Sequence, residues 1–158
     1  MNSLENMKRI PMPTDNHCGY HALLFGLKQI QHAGIDRSKS IQSQILFLKS
    51  ILIDFYTKTG NPRARMLKLH PNEWLNDRDM GILADYFKVC IHVYDERLND
   101  PEYSTRDVPS VTNIGPTHCL HNIYVIQKPN HFDVLLPKST IVHEMIPSAV
   151  SLSKKDID

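Results

Sequence analysis

Three side chains in this sequence have the types and the order of a nucleophile, a base and an orienting acid. Cys18 lies in the stretch Thr14-Asp15-Asn16-His17-Cys18-Gly19-Tyr20-His21-Ala22-Leu23-Leu24. There the turn-forming run Pro13 to His17 hands over to an amphipathic pattern, with Tyr20, Leu23, Leu24 and Leu27 at i, i+3, i+4 and i+7. That spacing predicts a helix starting at or near Cys18. Unpaired backbone N–H groups and the positive end of the helix dipole favour a thiolate over a thiol at such a start. A cysteine nucleophile needs a base, and the base needs a group to orient it. His131-Phe132-Asp133 supplies both. On a strand, residues two apart share a face, so His131 and Asp133 project together while Phe132 and Val134 point into the core. An Asp beside a histidine fixes its tautomer and stabilises the imidazolium that forms when a thiol gives up its proton. His-x-Asp alone is a common surface pattern; its partnership with an early helical cysteine gives it force. The chemistry implied is nucleophilic catalysis by a thiolate.

The remaining elements must bring these residues together. The first helix is expected from Cys18 to about Gln31, with Gly34 as its stop. Ser38 to Ser40 offers caps for a second, marked by Ile41, Ile45, Leu48, Leu52 and Phe55 and ended by Gly60-Asn61-Pro62. Arg63 to Leu69 forms a short helical piece, and Asn76 or Asp77 caps a further helix carrying Met80, Leu83, Ala84 and Phe87. The period then changes. Val89 to Tyr94 is β-branched and aromatic and reads as a largely buried strand, with Cys90 in its core. Glu96 to Gly115 is polar loop with room for a short edge strand. Asn122 to Gln127 and His131 to Leu136 are strands joined through Lys128-Pro129-Asn130 as a hairpin. Helices first and a small, mostly antiparallel sheet afterwards indicate an α+β domain.

At 158 residues the chain suits one domain, long enough to bury a core without disulfide or metal support. Residues 1–12 read as a polar lead-in, 13–147 as the domain and 148–158 as a disordered tail. With 18 basic and 17 acidic residues and no long charged block, nucleic acid and anionic membranes are not expected partners. Three scattered cysteines do not look like a disulfide framework and suit a reducing compartment. The polar start shows no signal peptide, and the apolar run Ile45 to Phe55 is broken by Lys49 and Asp54. A monomeric intracellular domain is the expectation.

The segment Asp15 to Ala22 resembles the Asp-Gly-Asn-Cys-aromatic-aromatic-Arg/His-Ser/Ala box of the ovarian tumour (OTU) family of cysteine proteases. His131-Phe132-Asp133-Val134-Leu135 resembles that family's second box, His-aromatic-Asp/Asn-x-Leu. Asn72-Glu73-Trp74-Leu75 and Met80 to Tyr94 look like its tryptophan, third helix and central strand. The resemblance spans about Pro11 to Pro137 and is most like viral members, such as those of nairoviruses and arteriviruses. It implies the papain-related OTU fold, no metal or organic cofactor, and a deubiquitinase hydrolysing the isopeptide or peptide bond after the C-terminal glycine of ubiquitin or a ubiquitin-like modifier. For a viral member the setting is host cytoplasm. It further implies Cys18 as nucleophile, His131 as general base and acid, and Asp133 as orienting acid. Asp15, Asn16 and His17 fall in the loop that carries the oxyanion hole. Tyr20, Phe132 and Asn130 would flank the substrate.

Two loop positions depart from the box. Asn16 stands where glycine is usual, and Asn tolerates positive φ better than most residues. His17 stands where asparagine is usual and reads as solvent-facing rather than as an oxyanion donor. Trp74 reads as buried at the helix–sheet junction. His21, three residues after Cys18, suits packing or a hydrogen bond to a neighbouring loop. Two other readings differ in class. One is a catalytically inactive OTU-like domain that binds ubiquitin, for which only the altered loop speaks. The other is a zinc module built on His17-Cys18-His21 and His118-Cys119-His121. It is disfavoured because adjacent His-Cys pairs do not easily turn toward one ion and no Cys-x-x-Cys is present.

Overall fold

The nucleophile's helix is almost wholly enclosed. α1, Cys18–Gln29, has every residue from Cys18 to Leu27 buried, so it runs through the core instead of lying on it. Gly26 permits this: a Cβ there would lie 2.6 Å from Ile123 of the sheet. The helix stops two residues earlier than expected. Gln31 turns left-handed (φ 56), and the N–H of His32 reaches back to the carbonyl of Leu27, a Schellman closure. α2, Ile41–Lys58, starts where Ser40 accepts the N–H of Ser43 at 3.1 Å. It buries Ile45, Leu48, Leu52 and Tyr56, whereas Phe55, expected inside, is 40% exposed. α3, Arg63–Leu69, follows as predicted. α4, Asp77–Phe87, opens with a capping box in which Asn76 and Asp79 exchange side-chain-to-backbone hydrogen bonds.

This computed structural model describes residues 4–96 and 111–157. Its sheet has the order β1 (Met7–Ile10), β5 (His131–Pro137), β4 (Asn122–Lys128), β2 (Cys90–Asp95), β3 (Val111–Ile114). Among the described residues only β2 and β4 pair in parallel; the three other pairings are antiparallel. The expected α+β architecture, helices on a small mostly antiparallel sheet, is what the chain adopts. β3 is the edge strand foreseen between Glu96 and Gly115, and the rest of that expected loop, residues 97–110, lies outside the described residues. The β4–β5 hairpin turns through Pro129 and Asn130 alone. Proline followed by a residue at positive φ (Asn130, 64°) is the type II pattern. β5 lies inside the sheet, between β1 and β4, and His131 to Leu136 are all buried. Phe132, Val134 and Leu136 join the main core with the helices, while Leu135 packs with Met7, Tyr94 and Ile126 in a second cluster. Among the described residues no helix is long and apolar enough to cross a membrane.

Three expectations need correction. Residues 1–12 are not merely a lead-in: Met7–Ile10 form the strand that covers β5, and Met12 is buried. The segment after residue 147 is not a disordered tail. Leu152 is buried and Lys154–Ile157 form a last helical turn, α5. Cys90 does sit buried in its strand, but it is bonded to Cys119, 29 residues on, so the three cysteines are one disulfide and one free thiol, Cys18. Sequence spacing could not show this, because β2 and the approach to β4 meet only through the parallel pairing that starts at Cys90↔Asn122. The bond also occupies Cys119, which removes that thiolate from any zinc cluster.

Candidate active site

Cys18 is the first residue of α1 and only 6% exposed. Burial pushes its thiol up, and the Asp15 carboxylate adds to this; the backbone N–H groups of Phe132, Gly19 and Cys18 itself pull the other way without winning. The expected thiolate at a helix start is thus corrected: the helix terminus helps, but desolvation outweighs it. Cys18 needs a base.

That base is placed by β5. His131 Nε2 lies 2.6 Å from Asp133 Oδ1, the two side chains sharing one face across Phe132. An ionised carboxylate can only accept there, so Nε2 is the donor and Nδ1 is the ring nitrogen left for another partner. Asp133 is itself held by two donors that the sequence does not advertise. The N–H of Met12 donates to Oδ1 at 2.7 Å and the guanidinium of Arg9 to Oδ2 at 2.7 Å. Burial would raise this carboxyl, but the Met12 N–H, Arg9 and His131 together hold it below the ordinary carboxylate range. Arg9 and Met12 belong to the segment expected to be lead-in. Residues 7–12, Met-Lys-Arg-Ile-Pro-Met, show no two-residue alternation that would mark a strand.

Cys18 and His131 line the same cleft of about 270 Å³. One wall is Asn16, Cys18 and Gly19; the facing walls are Trp74 to Asp77 and the hairpin residues Gln127, Asn130 and Phe132. Gly19 keeps the first wall close to the second, since a Cβ there would lie 3.0 Å from Leu75. Trp74, expected in the core, is instead 40% exposed at this cleft. Its neighbour Asn76 must begin α4, which leaves Trp74 on the loop surface. Tyr20 goes the other way. It is fully buried, with the Lys49 ammonium 4.7 Å from its ring centroid, and it does not line the cleft, so it packs the core and is no substrate contact.

The loop before the nucleophile is organised by Asp15. Oδ1 accepts the N–H of His17 at 2.8 Å, and Oδ2 accepts from His21 Nε2 at 3.0 Å and the N–H of Val150 at 2.8 Å. Burial would raise this carboxyl too, but the Val150 N–H, His21 and the His17 N–H hold it low. Burial pushes His21 down, against the pull of Asp15, so His21 is a neutral donor. Asn16 has no positive φ, so no left-handed turn calls for glycine at this position. His17, expected in solvent, is fully buried, its ring nitrogens each 3.2 Å from a carbonyl, those of Val150 and Pro71. The His17 N–H is taken by Asp15, while the N–H groups of the first turn of α1 have no intrahelical acceptor. Among the described residues no group of three His, Cys, Asp or Glu is placed to hold a metal ion.

No protein-family model matches the sequence, and comparison with curated proteins finds no match. Solved structures do match. The viral OTU domain protease from Taggert virus superposes with a TM-score of 0.58 at 18% identity, over 86% of this chain and 83% of that one. An ovarian tumour (OTU) domain in complex with ubiquitin gives 0.55 at 18% identity, over 82% and 69%. The Hazara virus OTU bound to ubiquitin gives 0.52 at 16% identity, over 86% and 84%. The fold is that of OTU domains. Within this OTU fold, Cys18 opens the central helix and His131 and Asp133 open an interior strand of the sheet, and the two elements meet at one cleft.

Proposed function

We propose that the chain is a thiol-dependent hydrolase that cleaves the bond after the C-terminal glycine of ubiquitin or a ubiquitin-like modifier. The observation that carries this is the pairing of His131 Nε2 with Asp133 at 2.6 Å, which leaves Nδ1 as a free base in the cleft lined by Cys18. The OTU fold supports ubiquitin as the partner, and the cleft's narrow walls suit an extended, small-residue tail. His131 Nδ1 takes the Cys18 proton as sulfur attacks the glycine carbonyl. The oxyanion is met by the N–H of Cys18, and His131 returns its proton to the leaving amine. Water, deprotonated by His131, then attacks the thioester and releases the carboxylate and Cys18. Asp133 holds the ring throughout and stabilises its charged form. The reading sets the reaction in cytoplasm, that of a host if the chain is viral, with the protein acting as a monomer.

The test is incubation with ubiquitin carrying a C-terminal electrophile, read by intact mass beside Cys18→Ala. A single adduct dependent on Cys18 is expected. Binding of ubiquitin without any adduct or turnover would establish the inactive binding domain instead; neither binding nor adduct, with any ubiquitin-type probe, would overturn the reading.

A further inference from the structure

The loop before the nucleophile is fastened from behind by a segment far along the chain. The N–H of Val150 donates to Asp15 Oδ2 at 2.8 Å, and the carbonyl of Val150 lies 3.2 Å from His17 Nδ1. Two residues later Leu152 is 4% exposed in the main core. Its backbone pairs reciprocally with the Asn72 side chain, N–H to Oδ1 at 3.2 Å and carbonyl from Nδ2 at 3.3 Å. Asn72 is in the stretch that gives the Pro71 carbonyl to His17 Nε2 at 3.2 Å and Trp74 and Leu75 to the cleft. One extended piece of chain therefore ties together the loop that delivers Cys18 and the wall facing it.

We propose that residues 150–152 are a positioning strap for the acyl-transfer site: through Asp15 and Asn72 they set the His17–Cys18 backbone and the width of the cleft. This rests on the thiol-hydrolase reading. The strap touches no substrate; it acts on the groups that do. Among the described residues, the other two donors to Asp15, the His17 N–H and His21, belong to the same loop and helix as Cys18, so Val150 is what anchors this carboxylate to a distant part of the chain. The link is made by main-chain atoms, so side-chain patterns do not reveal it. Misplacing a reacting carbonyl by about 1 Å costs on the order of a hundredfold in rate, which sets the scale of the expected effect.

The experiment uses the full chain with Val150→Pro, which deletes the donating N–H. Val150→Ala keeps that N–H, and Asn72→Ala releases Leu152. A ubiquitin C-terminal fluorogenic amide reports kcat and KM, and hydrogen exchange reports residues 14–19 without any substrate. Val150→Pro is expected to lower kcat ten- to a hundredfold with KM within twofold, and to speed exchange at 14–19 while β4 and β5 stay protected. Val150→Ala is expected to keep kcat within about threefold. Should Val150→Pro not fold, Asn72→Ala carries the same expectation at the smaller end of the range. Unchanged kcat with unchanged exchange at 14–19, or exchange rising equally across the sheet, overturns the strap. A wild-type chain with no turnover sinks the functional reading alone; exchange at 14–19 still decides the strap.

Discussion

At Cys18 two effects oppose each other, and the result makes the residue's chemistry dependent on its neighbour. Burial raises the thiol further than the surrounding N–H groups lower it, and in the proposed mechanism the sulfur hands its proton to His131. Alkylation by iodoacetamide measures this directly. The unaltered protein should react at Cys18 already near neutral pH, whereas His131→Ala should react at least about tenfold more slowly there and recover only above pH ~9, the range of an ordinary or raised thiol. Superimposable pH profiles would show that His131 is not the base. Turnover should be abolished in both Cys18→Ala and His131→Ala. Asp133→Ala should retain more, since the ring keeps its place on β5 but loses the carboxylate that fixes its tautomer, a loss on the order of 10²- to 10⁴-fold in kcat.

Between elements, the facing wall of the cleft depends on a buried anion. Asp79, fully buried on α4, accepts from Tyr56 of α2 at 2.5 Å, from Arg63 of α3 at 2.7 Å and from the N–H of Asn76 at 3.0 Å. Arg63 also donates to the Trp74 carbonyl at 2.9 Å, so the same cluster sets the loop that carries Trp74 into the cleft. Asp79→Ala leaves Arg63 with only the longer contact to Glu73 at 3.9 Å and strips the Tyr56 hydroxyl and the Asn76 N–H of their acceptor, and should cost about 3–5 kcal/mol in urea unfolding. A loss under 1 kcal/mol would mean that helix packing alone holds this wall. Lys49, on α2 against Tyr20, is pushed down to about 8, chiefly by burial and then by Arg63. Its folded value lies below the ordinary 10.5, so between these two values the unfolded chain binds the extra proton and stability rises with pH. Lys49→Met should be more stable than the unaltered protein by roughly 1–3 kcal/mol at pH 7, with the gap narrowing by pH 9.5. A constant gap across that range would contradict the shift. Much of this layer was legible beforehand. The starts of α2 and α4 followed from Ser40 and Asn76, and the hairpin from Pro129-Asn130, because caps and turns are local chemistry. The placement of the candidate residues was legible to the same depth: Cys18, His131 and Asp133 stand on elements with clear periods. What was not legible came from contacts far apart in sequence. Arg9 and Met12 reach Asp133 across 124 and 121 residues, and Val150 reaches Asp15 across 135. The burial of His17 follows from such long-range contacts, with Val150 and Pro71.

For the molecule as a whole, the disulfide and the proposed cytoplasmic setting pull against each other. Cys90–Cys119 ties the start of β2 to the approach to β4, closing a loop of 29 residues around the sheet's one parallel pairing. Cross-linking a loop of that length stabilises a fold by roughly 3–4 kcal/mol on chain-entropy grounds, yet a reducing cytoplasm would keep such a pair open. The rest of the fold indicates which consequence matters. Val89, Ile91, Val93, Ile123 and Val125 are all buried around this pairing, and α1 packs on β4 through Gly26, so the sheet keeps its core without the bond. Cys18 takes no part in the disulfide. Reduction, or Cys90→Ala with Cys119→Ser, should therefore lower the unfolding free energy by about 3 kcal/mol while leaving kcat within about twofold. Urea midpoints and turnover with and without a phosphine reductant that spares thiols decide it. If reduction unfolds the chain or abolishes turnover, the bond is a requirement of the fold, and the protein must work where disulfides persist.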